Sequence, residues 1–361
     1  MAPALQQSTR GCLLIADITG YTDYLRDTEL EHAQDVLADL LETIIAGIEP
    51  PFTLSKLEGD AAFAYVDSDV VSAPMLFDTV DATYFAFRRR LRDIVQSTTC
   101  ECNACVLIPR LDLKFFVHEG EYVIRRIARS EELTGSDVIL LHRLLKGAAG
   151  QTVGSNAYAV YTSGTLETLG VDTDTLGFVP FTETFSDMGD IAVFVQNLEQ
   201  QWVREQDRNR VFVAEAEALG QVEFVFSAPP PVVWEYFTDP QKRLEWQLGL
   251  TSIDEDVDGR RGVHTVSHCA HGSDTNIQRV VDWRPFSSFT IVDETENSPF
   301  VLTFTNDFAP AEGGTLATLR LLTDPPEMWS AVADELLHVL VESSEALERL
   351  LVDQPAATVT P

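Results

Sequence analysis

Lysine is nearly missing from this chain. Only Lys56, Lys114, Lys146 and Lys242 occur in 361 residues. Lysine and arginine together number 25 against 57 acidic residues, a formal net charge of −32. Duplex binding draws on clustered basic side chains that neutralise phosphates, so a broad nucleic-acid surface is excluded. An anionic membrane surface is disfavoured for the same reason. Long hydrophobic runs are missing too. None approaches the roughly 20 residues that span a bilayer, so no membrane span is expected. Residues 1–10 lack a basic stretch followed by an apolar one, so export is not expected and the cytoplasm is the expected location. An acidic, lysine-poor surface suits a high-salt cytoplasm, where repulsion is screened. A genome that prefers arginine gives the same composition.

What is present fits a soluble globular protein, 45% hydrophobic and 23% charged. The length is too great for one ordinary core and predicts two domains. Residues 13–18 read as a buried strand. Leu30, Ala33, Val36, Leu37, Leu40, Leu41, Ile44 and Ile48 recur at helical spacing, after a Thr28 cap and before the stop at Pro50-Pro51. Residues 52–57 and 61–66 read as a hairpin turning at Glu58-Gly59-Asp60. A helix is expected over about 70–96. Strands are expected at 111–117 and 121–127 with a turn at Glu119-Gly120, then a helix over about 135–147 and two strands within 175–197. This order predicts an α+β sandwich with helices over one face of a mainly antiparallel sheet.

Residues 198–213 are polar and expected to form a helical connector. Beyond them the pattern changes to a strand at 222–226, a helix opened by Pro229-Pro230-Pro231, six strands between 251 and 322, and a long closing helix over about 327–352. The domain reading is therefore 10–197, a connector 198–213, a second domain 214–353 and a disordered tail 354–361.

Two segments carry the chemistry. Ala16-Asp17-Ile18-Thr19-Gly20-Tyr21-Thr22 and Lys56-Leu57-Glu58-Gly59-Asp60-Ala61 each end an apolar run with one carboxylate at a turn. If the two strands are neighbours, Asp17 and Asp60 converge, and paired carboxylates at strand ends can seat Mg²⁺ with a polyphosphate. Taken singly, each aspartate also fits a turn or helix cap.

These two segments, with the helix start Gly135–Arg143, resemble the class III nucleotidyl cyclase domain, and more closely a cyclase-related bacterial family of unknown function. The resemblance implies a ferredoxin-like core and a site for ATP with Mg²⁺ or Mn²⁺. It implies metal-binding and catalytic roles for Asp17 and Asp60, with Ile18, Thr19, Gly20, Tyr21 and Thr22 at the phosphates. It implies purine recognition by Lys56 and Glu132, and a transition-state role for Arg143. It also implies a homodimer, because such sites form between two catalytic domains. The chain departs from the family where a transition-state asparagine is expected, which is Ile139 here. Loss of such a group costs about 10²–10³ in rate. No late triphosphate-binding lysine appears in Ser186-Asp187-Met188-Gly189-Asp190.

Cys100, Cys102 and Cys105 fall within six residues. Thiolates so close could hold Zn²⁺ with His118 as a fourth ligand, or form a reduced loop or redox pair. Cys12 and Cys269 sit among apolar neighbours and are expected to be buried. His264 and His268 are expected to share a strand face.

Residues 214–353 resemble the START/Bet v1-like (SRPBCC, polyketide cyclase-type) superfamily. The pattern is Val222–Pro229, then Val232-Val233-Trp234-Glu235-Tyr236-Phe237-Thr238-Asp239-Pro240, then Arg243-Leu244-Glu245-Trp246. The resemblance implies a helix-grip fold whose sheet curls round a long helix and leaves a cavity for a hydrophobic small molecule. The combined expectation is a nucleotide-binding signalling protein that makes some cyclic AMP and senses such a molecule. The alternative is a catalytically inactive cyclase-fold dimerisation or nucleotide-binding module with a lipid- or polyketide-binding helix-grip domain.

Overall fold

A computed structural model describes residues 8–97, 102–127, 130–256, 260–271, 274–296 and 298–353. The chain is α+β and forms two compact units, the first running to Arg208 and including Arg260, the second made of the other described residues from Asn209 on.

The first unit runs β1 (Thr9–Thr19), α1 (Tyr21–Arg26), α2 (Leu30–Ile48), β2 (Thr53–Glu58), β3 (Ala61–Asp67), α3 (Ala73–Ser97) and α4 (Asn103–Leu107). It continues with β4 (Asp112–Ile127), β5 (Ser130–Thr134), α5 (Ser136–Leu144), β6 (Tyr158–Thr162), α6 (Ser163–Thr168), α7 (Thr173–Leu176), β7 (Val179–Phe185), β8 (Gly189–Asn197) and α8 (Leu198–Asp207). The sheet order is β2-β3-β1-β4-β6-β8-β7, with β5 paired to β4. All pairs are antiparallel except β4 with β6.

Cys12 to Ala16 of β1 are all fully buried. A strand buried on both faces needs cover on both. Leu14 and Ala16 belong to the larger core with α2 and α3, whereas Leu13 and Ile15 pack with Val138 and Leu141 of α5. The helices therefore cover both faces, not one. The continuous apolar run 12–16 carried that signal. The expected turn at Glu119-Gly120 is absent: β4 runs through it and the hairpin closes later, onto β5. Gly120 serves close packing instead. A Cβ there would lie 2.5 Å from the Asp137 side chain at the start of α5. In the segment read as a connector, α8 sends Leu198 and Trp202 into the first unit's core.

The second unit holds β9 (Gly220–Phe226), α9 (Pro230–Thr238), α10 (Pro240–Trp246), β10 (Leu250–Asp256), β11 (Val266–His271), β12 (Asp274–Arg284), β13 (Ser288–Thr295), β14 (Val301–Ala311), β15 (Gly314–Asp324) and α11 (Trp329–Asp353). The seven strands form one antiparallel sheet, β10-β11-β12-β13-β14-β15-β9. Trp234 is fully buried and meets Trp283, Phe286, Phe289 and Phe308 edge-on, with centroids 4.7–6.0 Å apart. Leu347 and Leu351 of α11 close this core. His264 precedes β11 with φ 81, so it does not share a strand face with His268. The tail 354–361 lies outside the described residues.

Candidate functional site

Alternation along β1 puts Asp17 in phase with Leu13 and Ile15, on the α5 face of the sheet. Asp17 pairs in register with Ala61 of β3 and with Lys114 of β4. The hairpin before β3 turns at Gly59, whose φ of 71 favours glycine. The next residue, Asp60, accepts at its backbone oxygen from the Ile18 N–H, 3.2 Å away. Both aspartates thus end up where β1 and β3 meet. Burial and then the Asp17 charge push the Asp60 carboxyl up to about 6, against smaller lowering by its own backbone N–H and by Lys114.

Lys114 was not anticipated. Its Nζ lies 2.9 Å from Asp17 Oδ2, with both side chains mostly buried. One ammonium against two carboxylates does not offset the burial and the Asp17 charge that raise the Asp60 carboxyl. The donor set, two neighbouring carboxylates, is of the oxygen type that suits a hard divalent cation. Among the described residues, no group of three or more His, Cys, Asp or Glu has metal-holding geometry.

The expected phosphate cradle is narrower than the sequence implied. Ile18 is 2% exposed and its N–H is spent on Asp60. Thr19 Oγ1 donates to the Asn156 carbonyl at 3.1 Å. Gly20, with φ 87, turns the chain into α1. Tyr21 stays close enough to Asp60 that, after burial, the carboxylate raises its phenol further. Thr22 is exposed.

Two of the candidate purine and transition-state residues, Lys56 and Arg143, are engaged within their own chain. Lys56 Nζ lies 2.9 Å from Glu58 Oε1. Glu58 also faces His142 Nε2 at 2.9 Å, while His142 Nδ1 donates to the Val138 carbonyl at 2.8 Å. Burial works to raise the Glu58 carboxyl, but Lys56 and His142 outweigh it and hold it below its usual range. Arg143 pairs with Asp187 at 2.8 Å, both about half exposed. Glu132 lies opposite Arg125 in the β4/β5 register. Ile139 is 53% exposed, an apolar side chain on the solvent face of α5. Sequence reading missed Glu58 and His142, which lie inside the quoted motifs. Only the packing of α5 against the hairpin joins them.

Among the described residues, the cysteines of the loop make no contact with His118. Cys102 and Cys105 are thiols 3.5 Å apart. Cys100 lies outside the described residues. His118 Nδ1 bonds Thr162 Oγ1 at 2.9 Å, and its Nε2 faces Asp137 at 3.5 Å. His118 is therefore engaged by threonine and aspartate in place of thiolates. Cys12 and Cys269 are fully buried.

In the second unit, a cavity of about 240 Å³ opens between the sheet and α11. Trp246, Trp283, Phe289, Leu336 and Leu340 form its apolar wall. Its polar wall is a chain of hydrogen bonds invisible in the sequence. Arg243 Nη2 donates to Gln278 Oε1 at 2.8 Å, and Gln278 Nε2 donates to Asp293 Oδ2 at 2.7 Å. Asn276 Nδ2 donates to Asp293 Oδ1 at 2.9 Å. Burial holds the Asp293 carboxyl above its usual range and Arg243 below its own.

Comparison with known proteins divides along the same line. Residues 37–152 match a protein family of unknown function, DUF2652. Residues 219–350 match the family described as polyketide cyclase/dehydrase and lipid transport. An uncharacterized protein of Mycobacterium tuberculosis is 38% identical over 110 residues, 30% of this chain and 51% of that protein. The match thus spans about half the relative's length. Among solved structures, a bacterial light-regulated adenylyl cyclase aligns at 12% identity and TM-score 0.42, over 57% of this chain and 60% of that one. A protein of Chromobacterium violaceum aligns at 21% identity and TM-score 0.30, over 37% of this chain and 95% of that one. A family match of known description thus falls on the second unit, and one of unknown function on the first.

Proposed function

We propose that the first unit binds a purine nucleoside triphosphate with Mg²⁺ or Mn²⁺, as a homodimer, and that the second carries or senses a small, largely apolar molecule. The observation that carries the first half is the meeting of Asp17 and Asp60 where β1 joins the β2–β3 hairpin, with the Asp60 carboxyl raised first by burial and then by the Asp17 charge. A bound divalent cation would supply charge neutralisation for phosphate oxygens and activation of an attacking hydroxyl. The chain's own contribution is to hold two carboxylates on adjoining strands. It also keeps Tyr21 and the Gly20 turn beside them and places Lys114 within reach of phosphate.

Weak conversion of ATP to cyclic AMP is the activity this arrangement supports. Purified protein with Mn²⁺ and ATP should form 3′,5′-cyclic AMP, and Asp17→Ala or Asp60→Ala should abolish it. ATP binding without product supports the second reading, a catalytically silent nucleotide-binding module. Three observations favour that reading: Ile139 offers no hydrogen bond, Arg143 is held by Asp187, and Lys56 is held by Glu58. No ATP binding at all would sink both.

A further inference from the structure

Resting on the reading that the second unit's cavity takes a small molecule, we infer that the molecule is a compact aromatic or alicyclic acid, its anionic group bound by Arg243. Arg243 is 8% exposed and lines the cavity. A guanidinium has five N–H donors. Its hydrogen bonds run from Nε to Gln247 Oε1, at 3.1 Å, from Nη2 to Gln278, and to the Cys269 thiol, while the charges of Glu255 and Asp293 act on it from farther away. No carboxylate lies within ion-pair distance of it among the described residues. The neighbouring acids are taken up elsewhere: Glu255 pairs with Arg261 at 2.6 Å, and Asp293 is occupied by Gln278 and Asn276.

A buried cation without a contacting anion is costly, and buried charges in folded proteins are ordinarily paired. Gln278, Gln247 and the Cys269 thiol, whose ionisation burial opposes, orient the guanidinium but bring no contacting charge. The missing partner is a carboxylate, sulfonate or enolate presented from the cavity, where a bidentate contact is available. Size narrows the class further. A cavity of about 240 Å³ lies just below the usual ~300–1,000 Å³ of drug-sized sites. One or two rings fit between Trp246, Trp283 and Leu340. A two-chain lipid does not.

The test uses two fluorescent probes with one body and different charge: 8-anilinonaphthalene-1-sulfonate and uncharged N-phenyl-1-naphthylamine. Full-length wild type should bind the sulfonate once per chain and at least about tenfold more tightly than the neutral probe. Arg243→Met should erase that preference while leaving the neutral probe bound. Arg243→Lys, which keeps charge but loses the fork, should fall between, and supplies the comparison if the methionine variant does not fold. Leu340→Trp should exclude both probes. Equal affinities for the two probes in wild type, or a preference surviving in Arg243→Met, overturn the anionic assignment while the cavity reading stands. Failure of both probes to bind wild type overturns the cavity reading itself.

Discussion

At the scale of single residues, Lys114 decides how strongly the carboxylate pair attracts a cation. Its ammonium sits 2.9 Å from Asp17 and lowers Asp60 as well. A unit charge at such range is worth from about 1 to about 4 kcal/mol, depending on solvent access. Lys114→Met should therefore tighten Mn²⁺ binding roughly tenfold or more, measured by calorimetry. Unchanged affinity would remove Lys114 from the site. The positions of Asp17 and Asp60 were legible in the sequence because each marks the end of an apolar run near a glycine, Gly20 or Gly59. Lys114 was not, because only the β1–β4 register sets it opposite Asp17.

Asp293 gives a pH test in the second unit. Burial raises its carboxyl, against Gln278, His271, Asn276 and Arg243. A folded pKa above the unfolded value means that the folded state holds the proton more tightly. This contribution to stability is fully present below the unfolded value, near 3.9, and is lost as pH rises through the folded one. Asp293→Asn should flatten the decline above about pH 4 in urea unfolding. Parallel profiles for wild type and variant would show that Asp293 is not the source. The hydrogen-bonded chain from Arg243 to Asp293 escaped sequence reading because α10, β12 and β13 each supply one member.

At the scale of elements, glycine misled where it was read as punctuation. Gly59 turns the hairpin as its sequence predicted, but Gly120 lies within a continuous strand, pressed against Asp137. Asp137 Oδ2 also accepts from the Glu121 N–H at 2.6 Å, tying β4 to the first turn of α5. Gly120→Ala should push Asp137 aside and destabilise the first unit by about 1–3 kcal/mol, seen as a lower denaturation midpoint. A neutral substitution would contradict the packing role. Most long elements were legible from periodicity: α2, α3, α11 and the meander β12–β15 lie within a few residues of expectation. The strand β6 was missed. It spans five residues, Tyr158–Thr162, buried on both faces, and shows no alternation to read.

At the scale of the whole molecule, the charge of −32 is the dominant long-range term. Self-repulsion of that size opposes compaction and is screened by salt, with a Debye length of about 10 Å at 0.1 M and about 3 Å at 1 M. The unfolding temperature should rise between 0.05 and 1 M KCl. A flat or falling response would mean that the acidic surface is locally compensated by ion pairs such as Arg90–Asp39 and Arg88–Asp112.

Asp17 and Asp60 acting together on a cation–nucleotide complex is the property on which the proposed function depends. Calorimetric titration of a non-hydrolysable ATP analogue, with Mn²⁺ present, into wild type and Asp17→Asn/Asp60→Asn measures this directly. Saturable binding by wild type, weakened at least about tenfold in the double variant and absent without Mn²⁺, is the predicted result. Equal binding by both proteins, or none by wild type, would contradict it.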